Sequence, residues 1–112
     1  MQRDTQLLLD MLQSAELVAD YMAKSSKVSF VGDARLQVAV VQRLLAIAEA
    51  ARELPEAIHQ TMPRLAWKDL IEMRFRLVDD DDDVDPEAVW DVAQTEIPLL
   101  RAELRLKTPP YA

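Results

Sequence analysis

The 112-residue sequence has no cysteine, one glycine, one histidine and no long uncharged apolar run. Without cysteine there is no disulfide framework and no thiolate metal site. A single histidine, His59, excludes sites that need two or three imidazoles, such as the zinc HExxH pair or a facial triad. Gly32 alone cannot supply a phosphate-cradling loop or a dinucleotide fingerprint, nor the tight turns of a many-stranded β fold. No stretch reaches the ~20 apolar residues that a membrane span requires. Residues 1–10 also lack the basic-then-apolar order of a secretory signal. Together these absences predict a cytoplasmic protein, off the membrane, and exclude most familiar enzyme chemistries.

What is there is a half-apolar chain, enough for the core of one domain over residues 1–112. The formal charge is −7, but Asp79, Asp80, Asp81, Asp82, Asp83 and Asp85 contribute six of the 20 acids. Without them 14 acids face 13 bases, so the acidity is a property of one segment, residues 79–85, read as an interhelical loop.

Apolar residues recur at spacings of three and four. Leu7, Leu8, Met11, Leu12, Ala15, Val18 and Met22 predict a helix over about 4–24, capped by Asp4 or Thr5. Residues 25–33 break the period, with Phe30 and Val31 expected to pack back, Gly32 to turn the chain and Asp33 to cap the next helix. That second helix, about 34–54, carries Leu36, Val40, Val41, Leu44, Ile47, Ala48 and Ala51. Val38 and Leu45 widen its stripe, which predicts more than one neighbour and a two-fold self-association surface. Residues 55–62 read as a short helix or turn with Pro55 in the first helical position. A third long helix is expected over about 67–78, with Trp67, Leu70, Ile71, Phe75, Leu77 and Val78 as its apolar set. Asp85-Pro86-Glu87 places a cap, a proline and an acid in the order that helix starts prefer. The fourth helix runs to about Lys107 with Pro98 as a kink or break, and 108–112 is a frayed tail. The reading is all-α, an antiparallel four-helix bundle with a short extra helix.

Few residues carry chemistry. His59 has no serine or acid at an evident catalytic spacing and reads as a surface or partly buried side chain. Asp79, Asp81 and Asp83 alternate like calcium-loop ligands, but Val84 stands where the loop needs glycine and Trp90 where it needs a bidentate glutamate. A weaker divalent-cation site on Asp79, Asp81 and Asp83, or a solvated connector, remains. Arg76 and Asp80 would pair, if the helix continued, for only ~0.3–0.5 kcal/mol.

Trp67, the run Met73-Arg74-Phe75-Arg76-Leu77-Val78, Val84-Asp85 and Trp90, with Glu49-Ala50-Ala51 before them and Ile97-Pro98 after, resemble the HepT family of HEPN-domain proteins over nearly the whole chain. The resemblance implies a HEPN-like helical homodimer. It also implies the toxin side of a toxin-antitoxin pair, whose partner is a minimal nucleotidyltransferase. Family members are metal-independent ribonucleases built on Arg-x4-His-x-Tyr, and the partner adenylylates the tyrosine. In that chemistry arginine holds the scissile phosphate and histidine moves the proton of the RNA 2′-hydroxyl.

Carried over, the arginine is Arg74, the histidine position is Asp79 and the adenylylation position is Asp81. Phe75 replaces the usual polar residue and Asp80 the small one, and the only tyrosines, Tyr21 and Tyr111, lie outside the motif. A free aspartate titrates near pH ~3.9, ill suited to proton transfer at neutrality. Six carboxylates also repel an RNA backbone. The expectation is a disarmed member acting through dimerisation and partner binding, with no cofactor and no metal, and binding RNA only if active. One variant has residues 79–83 imitating the charge of the adenylylated loop. The alternative is a ribonuclease in which Arg74 works with a carboxylate such as Asp79, or with a divalent cation.

Overall fold

Helix α1 (Gln2–Ala23) of the computed structural model, which describes residues 2–108, buries Leu8, Met11, Ala15, Val18 and Met22. This is the stripe that the period predicts, and it lies along α3 (Ala34–Glu53) and α8 (Ile97–Lys107). The centre of the core is α3, whose Val40, Val41, Leu44, Ile47, Ala48 and Ala51 are buried. Its breadth meets neighbours within the chain, since α3 touches α1, α2, α5, α6 and α7. Among the described residues there are eight helices and no strand, an all-α bundle with more pieces than the sequence suggested.

One extra piece is α2 (Lys27–Val31), in a segment expected to be irregular. Ser26 and Ser29 form a reciprocal capping box, two orphan N-terminal donors being met at once. Phe30 packs inside with its ring 5.7 Å from that of Trp90. Val31 was expected beside it but is 39% exposed, because adjacent helical residues point about 100° apart. The Gln37 side-chain Nε2 donates to the Phe30 and Val31 carbonyls, each at 2.9 Å, and so helps satisfy the C-terminal end of α2. Gly32 follows at an ordinary φ of −92°. Asp33 caps α3 as predicted, accepting from the Leu36 amide at 3.1 Å.

Pro55 is the cap of α4 (Glu56–Gln60) and not its first residue. The expected third helix is two, α5 (Trp67–Ile71) and α6 (Met73–Leu77), jointed at Glu72. Leu70, Met73 and Leu77, spaced three and four apart, face the core, while Phe75, expected inside, lies two residues from both Met73 and Leu77 on the opposite face and is 84% exposed. The fourth helix is likewise divided into α7 (Pro86–Thr95) and α8, the break falling at Glu96, just before Pro98, whose missing N–H cannot serve a continuous helix. Asp85 caps α7, accepting from the Ala88 amide. Thr108 donates twice to the Leu104 carbonyl. The rest of the tail, with Tyr111, lies outside the described residues.

Glu16 ties α1 to α8, accepting from Arg101 Nε at 2.7 Å and from Arg105 Nη2 at 2.7 and 2.8 Å. Partial burial pushes the Glu16 carboxyl up, but the hydrogen bonds and charges of Arg105 and Arg101 outweigh it and hold it below the ordinary value of 4.5. A lowered pKa stabilises the fold above the unfolded-state value and loses that contribution as pH falls through the folded-state value. Thermal melts from pH 7 to pH 3 are therefore expected to show a drop below about pH 4.5 that is smaller in Glu16→Gln. In the core, Leu44→Ala is expected to cost ~2–5 kcal/mol in denaturant unfolding, while Val38→Ala, at a half-exposed position, stays within ~0.5 kcal/mol.

Candidate functional site

A five-residue helix such as α6 does not hold its own shape in water. Met73 and Leu77 anchor one side in the core. Arg76 grips the other: its guanidinium forms a two-pronged pair with Glu96 at the α7–α8 joint, Nη1 on Oε1 at 2.9 Å and Nη2 on Oε2, and Nη1 also reaches the Asp69 carbonyl of α5 at 3.3 Å. The Glu96 hydrogen bond outweighs partial burial and raises the Arg76 pKa above its ordinary value, so the cation is permanent. The Arg76–Asp80 pair expected from spacing does not form, because α6 ends at Leu77 and Asp80 never reaches the same helical face. Arg74 and Phe75 are left facing solvent.

Beyond α6 the acidic segment is exposed yet hydrogen-bonded within itself. Val78 and Val84 form an isolated antiparallel bridge. The Asp79 amide donates to the Asp83 carbonyl at 2.9 Å, the Asp82 amide to the Asp79 carbonyl at 3.0 Å, and the Asp85 amide to the Leu77 carbonyl at 2.8 Å. Inside this ring Asp79 Oδ1 accepts from the amides of both Asp81 and Asp83, each at 2.9 Å, the side-chain-to-backbone turn that aspartate favours. Asp82 takes the left-handed conformation at φ 63°, which a short polar side chain tolerates better than most.

The positions singled out by sequence are thus only partly brought together. Arg74 Nη2 meets Asp82 Oδ1 at 3.3 Å, with the side chains 61% and 79% exposed. Asp79 instead serves the loop backbone, and Asp85 caps α7. Among the described residues no three His, Cys, Asp or Glu side chains gather as metal ligands. Asp82 was not anticipated as a partner of Arg74. Nothing local in a run of five identical residues marks which one the turn will aim at the arginine.

His59 is a structural tie. Its ring is stacked on Trp67 at 4.1 Å, and Nε2 faces the Ala51 carbonyl at 2.9 Å, so that nitrogen carries the proton. Trp67 Nε1 donates to the carbonyls of His59 and Met62. The interactions join α3, α4 and α5. A separate groove of about 400 Å³ lies between α1 and α3, lined by Leu7, Asp10, Ser14, Arg43, Ala50 and Glu53 among others, with no residue of α6 or the loop.

The family model described as "Ribonuclease HepT-like" matches residues 11–106, and the chain belongs to this family. It is 31% identical over 105 residues to a Methanocaldococcus jannaschii protein named "Gamma-glutamylcyclotransferase and putative RNase", a match covering 93% of this chain and 47% of that one. The chain therefore spans about half the length of this relative. It is 26% identical over 96 residues to the "Probable ribonuclease HepT" of Thermococcus cleftensis, covering 86% of this chain and 87% of that one. No solved structure matches.

If Asp79 organises the loop, its loss differs from that of a neighbouring carboxylate. Asp79→Ala is expected to lower unfolding stability by ~1 kcal/mol through two lost hydrogen bonds partly replaced by water. Asp80→Ala stays within ~0.5 kcal/mol, both read by chemical denaturation.

Proposed function

We propose that this chain, as a single domain over residues 1–112, is the toxin-side component of a HepT-like toxin-antitoxin pair. In this reading its Arg-x4-His-x-Tyr site is disarmed. It works in the cytoplasm through homodimerisation and through binding a minimal nucleotidyltransferase. The observation that carries the reading is Asp79: in the histidine position stands a carboxylate already accepting two backbone N–H bonds. A general base needs a lone pair aimed at its proton, and Asp79 Oδ1 is aimed instead at the loop's own amides. Asp81 lacks the phenol that adenylylation of the motif requires. Arg74, the one motif residue retained, faces the carboxylate of Asp82. Family membership supports the ribonuclease ancestry, and the absence among the described residues of a helix long and apolar enough to cross a membrane agrees with the location. The exposed aspartates also suit a basic partner surface, whose association they would accelerate in a salt-dependent way.

A second reading keeps the ribonuclease active, with Arg74 working beside a carboxylate or a bound divalent cation. It is favoured by the exposure of Arg74, whose side-chain partner among the described residues, Asp82, sits at 3.3 Å. The two separate in one assay: cleavage of a mixed RNA pool by the purified protein in EDTA or Mg²⁺, beside the triple variant Asp79→His, Asp80→Gly, Asp81→Tyr. The original is expected to be inert under both conditions. Restoring a proton-transfer group at position 79 should raise cleavage by at least ~10²-fold without metal. Cleavage by the original that requires Mg²⁺ would establish the second reading instead.

A further inference from the structure

We propose that the outer side of α3 is the face on which two copies of this chain pair, antiparallel about a two-fold axis, with the basic half of each α3 against the acidic half of the other. The pairing is the homodimerisation proposed above, on which it rests, given a surface and a direction.

Helix α3 is the centre of the core, yet one side of it is uncovered. Arg35, Ala46 and Glu53, eleven and seven residues apart, lie within about 20° of one line along the helix, at ~100° per residue. That line falls outside the buried set of Val40, Leu44, Ile47 and Ala51, and Arg35 and Glu53 at its two ends are exposed. Beside it runs the groove of about 400 Å³ between α1 and α3, whose α3 wall is Arg43, Ala46, Glu49, Ala50 and Glu53. Ala46 and Ala50, one turn apart, keep the middle of this wall low, which lets a second helix approach closely.

Charge identifies the occupant. The N-terminal half of this side carries the bases Arg35 and Arg43, and the C-terminal half the acids Glu49 and Glu53. Arg35 in the first turn and Glu53 in the last both oppose the helix dipole, so their placement does not serve α3 by itself. Neither Arg35 nor Arg43 has an ion-pair partner among the described residues, while Glu49 and Glu53 hold only exposed pairs, with Arg52 and Arg3. A two-fold axis crossing α3 level with Ala48 sets Arg43 opposite the second copy's Glu53 and Ala46 opposite its Ala50, and it does so twice, as a self-complementary contact requires. Antiparallel overlay at neighbouring registers still puts the basic half over the acidic half. A second copy of this chain is thus the complement that its own sequence supplies, whereas an unrelated helix would have to carry the same charges in reverse order.

The experiment is analytical ultracentrifugation over a micromolar dilution series, with far-UV circular dichroism to verify that each variant is folded. Arg35→Glu with Arg43→Glu makes the whole side acidic, and Glu49→Lys with Glu53→Lys makes it basic. The original chain is expected to dimerise, and each variant alone to do so at least about tenfold more weakly, as exposed pairs become like-charge contacts. An equal mixture of the two variants should recover the original strength or better, and its mixed dimer should loosen as salt is added. Ala46→Phe, which raises the low wall without changing charge, should also weaken the original dimer. Dimers of original strength from both charge variants would overturn the assignment and leave homodimerisation to another face. Weakening without recovery in the mixture would overturn it as well, by reducing the effect to net charge. An original chain that stays monomeric throughout would defeat this pairing and homodimerisation together, while cleavage of RNA by that chain would touch neither.

Discussion

The grip of Arg76 on Glu96 and on the Asp69 carbonyl decides where everything of chemical interest sits. The α6 helix is too short to be stable by its own hydrogen bonds, so its place is set by what holds it. Two buried side chains fix its depth, and Arg76 fixes its rotation against α5 and the α7–α8 joint. From that one orientation follow the outward direction of Arg74 and Phe75 and the point at which the acidic loop must begin. Removing one partner would leave the other partly buried charge without compensation, which is more damaging than losing a surface pair.

The loop itself balances two opposed effects. Five consecutive carboxylates repel one another, and the first of them follow a helix C-terminus, where negative charge is disfavoured. Against this stand the Val78–Val84 bridge, the backbone bonds across Asp79, Asp82, Asp83 and Asp85, and the two amides that Asp79 Oδ1 accepts. Asp79 therefore converts one of the offending charges into the acceptor that orders its neighbours. The Asp79 carboxylate is thus part of the loop's own scaffold.

Much of the fold was legible because local signals and the global pattern agreed. The stripes of α1 and α3, the Asp33 and Asp85 caps and the break near Pro98 were all visible. The joint at Glu72 was not, since the apolar spacing from Trp67 to Val78 suits one helix or two. Ser26 and Ser29 did offer a capping signal for α2, but five residues between two long helices carry too little periodicity to show it. Phe75 looked like core by type, but it stands two residues from both Met73 and Leu77 and so on the opposite face of α6. At the candidate site, the helical setting of Arg74 was legible, while the contacts of Asp79, Asp82 and Arg76 depend on turn geometry and on a contact 20 residues away.

The central claim, that Asp79 serves as a loop acceptor and not as a free base, is open to amide hydrogen exchange measured by NMR. The account predicts that the amides of Asp81, Asp83 and Asp85 exchange more slowly than free-chain rates, and that Asp79→Ala removes the protection of Asp81 and Asp83 while leaving α1 and α3 protected. Free-chain exchange at all three amides in the original protein would contradict it, returning the Asp79 carboxylate to the list of groups available for chemistry.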